Sequence, residues 1–158
     1  MIAADGAENL NLAKCDKAII GSGPADWRLH SATAGPVGVW KPPLGKMWRS
    51  GRQLYTKMPL LVAGHGPVTV SVPPALRKRV FLYYGRYLDR DGHPTTLFTH
   101  AAGFAAIEFQ PCDDRPRTIW PGGVRIKGTR PVHLTVAVPG RPPLLLRLGR
   151  PHVFLPAG

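Results

Sequence analysis

Apolar and polar residues alternate strictly in two stretches of this chain, Val68-Thr69-Val70-Ser71-Val72 and Val132-His133-Leu134-Thr135-Val136-Ala137-Val138. A period of two puts the valines of each stretch on one face and the hydroxyls and His133 on the other, the signature of a half-buried β-strand. Other short runs of valine, leucine or aromatic residues follow the same plan, each bounded by Gly or Pro. They are Pro36 to Trp40, Gln53 to Val62, Val80 to Tyr84, Phe104 to Phe109, Val124 to Lys127 and Leu144 to Leu148. The two alternating stretches resemble one another, as two equivalent strands, as a decayed duplication or as convergence on a proline-bounded strand. One helical turn is expected at Pro73-Pro74-Ala75-Leu76-Arg77-Lys78-Arg79, too short to organise a fold.

Turns spaced about ten residues apart between short β-rich runs predict an all-β chain, a single immunoglobulin-like β-sandwich of about seven to nine short strands. Residues 1–26 are polar and glycine-rich and read as an N-terminal arm or edge segment; residues 27–158 make the sandwich domain. A chain of 158 residues is one domain's worth, and folding at that size removes roughly 70% of its surface from water. The 18 glycines and 18 prolines argue against long helices, since proline must sit at ends, turns and edges.

The stretch Lys17-Ala18-Ile19-Ile20-Gly21-Ser22-Gly23-Pro24-Ala25-Asp26 resembles the opening of a dinucleotide-binding site. That site needs a strand feeding a glycine turn into a helix whose amides face a pyrophosphate. Here the third glycine position is Asp26, no helical period follows, and no acidic residue comes for more than sixty positions to hold a ribose. The expectation is a glycine turn leaving an edge strand, with no cofactor.

Charge changes the picture more than composition does. Lys and Arg number 21 against 9 Asp and Glu, a formal net charge of +12. No acidic residue lies between Trp27 and Leu88 or after Asp114. Such spans produce a positive field that attracts phosphate polymers, anionic lipid or acidic glycopolymers. The densest groups, Arg77, Lys78 and Arg79, then Arg125, Lys127 and Arg130, are the expected anion-binding residues. The neighbouring aromatics of Val80-Phe81-Leu82-Tyr83-Tyr84-Gly85-Arg86-Tyr87 add an alternative, a single-stranded nucleic-acid-binding β domain on which bases stack.

Two cysteines, Cys15 and Cys112, stand outside any CxxC or Cys/His cluster. In an exported protein they would form one disulfide; in a reducing cytoplasm they would be two unrelated thiols. An enzymatic alternative uses Cys112, His65 and the following Arg115, Arg117 and Arg125. That order on a β fold resembles the sortase transpeptidases, in which a thiolate attacks a peptide carbonyl and Arg stabilises the oxyanion. The chain departs from that pattern at Pro111, where the family has threonine, and in Asp113 and Asp114, which would raise the thiol pKa. His30, His65, His93, His100, His133 and His152 are scattered without ligand spacing, so no metal site is expected.

Val68-Thr69-Val70-Ser71-Val72-Pro73, Arg79 to Gly85, Phe109-Gln110-Pro111-Cys112, Thr118-Ile119-Trp120-Pro121-Gly122-Gly123 and Pro131 to Gly140 together resemble small exported β-sandwich proteins of high-GC Gram-positive bacteria. The resemblance spans roughly Gly35 to Pro151 and implies export with no assigned activity. It also implies a disulfide at the Pro-Cys cysteine, often to a partner near the C-terminus; that region holds no cysteine here, which leaves Cys15 as the intramolecular partner. No apolar run approaches the ~20 residues needed to cross a bilayer, and Met1 to Leu10 lacks the basic and apolar regions of a signal peptide. The location expected is extracytoplasmic by resemblance, or cytoplasmic if Met1 is the true start. The function expected is a non-catalytic module whose basic face binds an anionic polymer or a partner protein.

Overall fold

The computed structural model of the chain describes residues 10–40, 48–50, 53–84 and 103–152. These form thirteen strands: β1 (Leu10–Ala13), β2 (Ser31–Ala34), β3 (Val37–Trp40), β4 (Trp48–Ser50), β5 (Gln53–Lys57), β6 (Leu60–Ala63), β7 (Val68–Ser71), β8 (Val80–Tyr83), β9 (Ala106–Phe109), β10 (Arg117–Trp120), β11 (Gly123–Lys127), β12 (Val132–Ala137) and β13 (Leu144–Gly149). The helical segments among the described residues are three short 3-10 turns, Cys15–Lys17, Trp27–His30 and Pro74–Leu76. The last falls inside the expected Pro73–Arg79 turn.

The strands assemble into a five-stranded sheet β1-β9-β7-β12-β13 and two four-stranded sheets, β10-β6-β3-β2 and β4-β5-β11-β8. The pairing is antiparallel except that β1 runs parallel to β9. The two resembling stretches are direct neighbours, with Val136 opposite Val70 and Thr135 opposite Ser71.

The two four-stranded sheets are joined along one ribbon. Chain 53–63 pairs with chain 117–127 along its length, Lys127 opposite Gln53 at one end and Arg117 opposite Ala63 at the other. In the middle, Pro59 and Pro121 have no N–H to give to a ladder, so the ladder is interrupted there. The Met58 N–H still reaches the Gly122 carbonyl at 2.8 Å and carries the pairing across the interruption. The strand count therefore exceeds the expected seven to nine. The run Gln53 to Val62 is split at Pro59 into β5 and β6, and β1, β2, β4 and β10 fall outside the expected runs.

The core lies between the five-stranded sheet and the surface that the two four-stranded sheets make. Ile107, Phe109 and Leu134 come from the first, and Leu60, Trp120, Leu82 and Ile126 from the second, all fully buried. The Phe109 ring meets Trp120 edge-on at 5.0 Å and Tyr84 at 5.5 Å, joining the layers through one aromatic cluster. The Tyr84 hydroxyl donates to the Met58 carbonyl at 2.5 Å, beside Pro59.

A strap formed by the N-terminal segment crosses this body. β1 lines the edge of β9, and the Gln110 N–H donates to the Ala13 carbonyl at 2.8 Å. The Trp120 indole donates to the Lys14 carbonyl at 2.9 Å. The disulfide Cys15–Cys112, with Cα atoms 4.9 Å apart, then fixes the crossing point. Closing a loop of this length contributes about 4 to 5 kcal/mol in the chain-entropy account. Beyond it, the Ile19 N–H joins the Ile119 carbonyl at 2.9 Å on the edge of β10.

The glycine stretch that resembled a nucleotide site is the middle of this strap. Gly23 (φ +70°) lies on β10 and β6, where a β-carbon would stand 2.6 Å from Ile119 Cδ1 and 3.7 Å from Leu61 Cδ1. Trp27, 4% exposed, then lies on Gly38, where a β-carbon would be 2.5 Å from its Cζ3. Arg115 donates to the carbonyls of Ile19 (2.9 Å) and Gly21 (3.4 Å), and Arg117 to those of Ser22 (3.0 Å) and Gly23 (3.3 Å). Four backbone carbonyls of a segment with no strand of its own are thereby satisfied. The covered outer face of β10-β6-β3-β2 is a second, smaller core around Leu61 and Trp27.

Two outcomes test this packing. Gly38→Ala drives a methyl into Trp27, and we expect a loss of about 1 to 3 kcal/mol with a red-shifted tryptophan emission, read by urea denaturation and fluorescence. Tyr84→Phe leaves the buried Met58 carbonyl unpaired at a cost of about 1 to 3 kcal/mol at neutral pH. Burial pushes the Tyr84 ionisation upward, so the fold holds the neutral phenol and its contribution is complete below the unfolded tyrosine pKa. Above about pH 10 the unfolded chain gains by ionising and that contribution is lost. The stability gap between the natural chain and Tyr84→Phe should therefore narrow in alkali, measured by denaturation at stepped pH.

Candidate anion-binding site

The 3-10 turn at Pro74–Leu76 delivers Arg77, Lys78 and Arg79 to the start of β8, while β11 ends at Lys127 and leads into the 128–131 connection with Arg130. β8 and β11 are paired neighbours, with Val80 opposite Ile126, so the two groups meet at one end of the sheet β4-β5-β11-β8. The Lys127 N–H donates to the Arg79 carbonyl at 2.8 Å.

Arg79 differs in role from the cations around it. Its Nε donates to the Lys127 carbonyl (3.0 Å), Nη2 to the Arg130 carbonyl (2.9 Å) and Nη1 to the Pro131 carbonyl (3.5 Å). One guanidinium thus staples the end of β11 and the connection after it, using the fixed fork of donors that only Arg supplies. Partial burial, and then the positive charge of Arg130, lower its pKa. Arg77, Lys78, Lys127 and Arg130 are all exposed. Arg77 is steadied by a hydrogen bond from Nε to the Val72 carbonyl at 3.3 Å.

Arg125 stands apart from that end. It lies one period back along β11, half-buried, its Cζ 5.1 Å from the Tyr83 ring centre, while Lys127 Nζ lies 5.6 Å over Phe81. Of the six expected anion-binding residues, four form an exposed cationic end, Arg79 organises it, and Arg125 sits on the adjoining face. Arg115 and Arg117, expected in the cysteine chemistry, serve the strap instead.

The aromatics beside this cluster are mostly enclosed. Tyr83 is 3% and Tyr84 1% exposed, so neither offers a ring face for a base. The rest of that basic and aromatic run, Gly85, Arg86 and Tyr87, lies outside the described residues.

Cys112 is 1% exposed and bonded to Cys15, which leaves it no thiolate to act as a nucleophile. The His65 Nε2 is 2.8 Å from the Arg115 carbonyl, a hydrogen bond that ties a turn to the chain before β10. Among the described residues no three His, Cys, Asp or Glu gather as metal ligands; His93 and His100 lie outside them. No described helix is long and apolar enough to cross a membrane.

Comparison with family models, curated proteins and solved structures finds no match to this chain.

The division of labour among the cations is open to measurement. Arg79→Met should lose about 1 to 3 kcal/mol, since three carbonyls lose a charged donor, whereas Lys78→Met should stay within about 0.5 kcal/mol of the natural chain, both read by urea denaturation.

Proposed function

We propose that this chain is an exported, immunoglobulin-like β-sandwich module without catalytic activity that binds an anionic polymer through the cationic end of the sheet β4-β5-β11-β8. The observation that carries the reading is the meeting of two groups distant in sequence, Arg77-Lys78 and Lys127 with Arg130, around the Arg79 staple. A fold that only needed solubility would gain by separating like charges. Here Arg130 and Arg79 are held near enough for one to depress the other's pKa, and an arriving anion relieves that repulsion.

Export is supported by the Cys15–Cys112 disulfide, which persists in oxidising compartments, and by the resemblance to exported β-sandwich proteins. The immunoglobulin-like form is supported by antiparallel sheets packed face to face over an aromatic core. A basic protein also attracts partners by net charge alone, so the test must separate location from total charge.

Retention on phosphocellulose should weaken steeply with salt as released counterions and screening take effect. The combined variant Arg77→Gln, Lys78→Gln, Lys127→Gln and Arg130→Gln should elute at clearly lower salt than a charge-matched control carrying Lys17→Gln, Arg141→Gln, Arg147→Gln and Arg150→Gln. Equal elution of the two variants would remove the site and leave only net charge.

A further inference from the structure

The cationic end opens onto the outer face of the sheet β4-β5-β11-β8, where the strand register sets residues in rows. One row runs Tyr55, Arg125, Phe81; the next toward the cationic end holds Lys127; the other neighbour sets Lys57 and Tyr83 on either side of Gly123. Tyr55 is 37% exposed, Lys57 and Lys127 are exposed, and Phe81 is half-buried beneath the Lys127 ammonium, with Gly103 close beside it.

The four strands read Trp-Arg-Ser, Gln-Leu-Tyr-Thr-Lys, Gly-Val-Arg-Ile-Lys and Val-Phe-Leu-Tyr, and contain no carboxylate. Outward positions on one strand recur every two residues, so Arg125 and Lys127 are rooted about 6.5 to 7 Å apart along β11. That line of charge ends beside Arg79, whose guanidinium reaches the carbonyls of Lys127 and Arg130. An exposed aromatic ring therefore sits inside a linear track of cations, on a face whose own strands offer no competing acid.

We propose that this face is a binding track for an extended anionic glycan, a polysaccharide bearing carboxylate or sulfate groups on its sugar rings. The proposal rests on the anion-binding reading above and narrows it to a ligand class. Sugar rings have apolar faces of C–H groups that pack on an aromatic ring and charged substituents at their edges, the two features this face alternates. The cations take the substituents, with charge-assisted hydrogen bonds as the strong contacts, and Tyr55 takes a ring face. A polyphosphate has the charge without the rings and gains nothing from Tyr55. A single-stranded nucleic acid has rings, but Tyr83 and Tyr84, its natural platform here, are buried.

The experiment compares the full chain with Tyr55→Thr and Tyr55→Phe, binding a size-defined heparin oligosaccharide, a sodium polyphosphate of matched charge and an oligo-dT strand at fixed salt. Tyr55→Thr should weaken heparin binding about three- to tenfold, leave its salt dependence unchanged and leave polyphosphate binding unchanged. Tyr55→Phe should restore heparin binding. Because Tyr55 is exposed, both variants should melt with the natural chain, and Lys57→Gln gives a second reading on the same track, with lower affinity and a shallower salt dependence.

Heparin binding insensitive to Tyr55→Thr, or an equal loss on polyphosphate, would overturn the glycan assignment while the anion-binding end stands. Tighter, Tyr55-dependent binding of oligo-dT would overturn it in favour of nucleic acid. Failure of all three probes to bind would remove both readings together.

Discussion

The crossing of the N-terminal segment over the edge of the sandwich is the constraint on which the remaining architecture depends. At that point the Cys15–Cys112 bond, the Trp120 indole donating to the Lys14 carbonyl and the Gln110 N–H donating to the Ala13 carbonyl fall within a few residues of one another. Before the crossing the chain lines the five-stranded sheet as β1; after it the chain lines β10 and then lies across the outer face of β10-β6-β3-β2. A covalent tie removes entropy from the unfolded chain, and the hydrogen bonds around it give the strap one register. The edges of β9 and β10 are thereby both covered, which denies another chain a pairing surface there.

One ribbon, interrupted at Pro59 and Pro121, belongs to two sheets. Its β6–β10 half is covered by the strap, and its β5–β11 half carries the aromatic and cationic face. The charge distribution divides along the same line. Arg115 and Arg117 are committed to strap carbonyls, and Asp114, its pKa lowered mainly by the hydrogen bond from Arg115, belongs to the same region. The β5–β11 half has no carboxylate of its own, so its positive potential is not cancelled within the sheet.

Much of the fold was legible from period-two patterning. Val68, Val70 and Val72, and Val132, Leu134 and Val136, are buried as their alternation required, and the glycine stretch does not open a helix. The short strands β2 and β10 carried no such signature. Thr118 of β10 is fully buried because its hydroxyl accepts from the Cys112 N–H at 2.9 Å, a partner six residues away that hydropathy does not encode. Pro59 within the run Gln53 to Val62 was visible, but its effect on the strand count was not, since an interruption and an end look alike in a linear pattern.

The candidate site was legible in composition and illegible in role. Arg77, Lys78, Arg79, Lys127 and Arg130 stood out by density, yet nothing local distinguishes Arg79, which binds three carbonyls, from Lys78, which is exposed. Tyr83 and Tyr55 likewise alternate outward on their strands, and only the approach of Gly103 and Arg125 covers one while the other is left exposed. The sequence by itself determined the all-β class of the fold, which face of its clearest strands is apolar and that the charge is unbalanced, because these follow from residue type and a repeat of two. Only the tertiary structure decided which strands are neighbours, which cations meet and which aromatic remains in reach of a ligand, because those depend on pairings between segments some fifty to a hundred residues apart, and such pairings are selected by the packing of the whole core rather than by any local pattern.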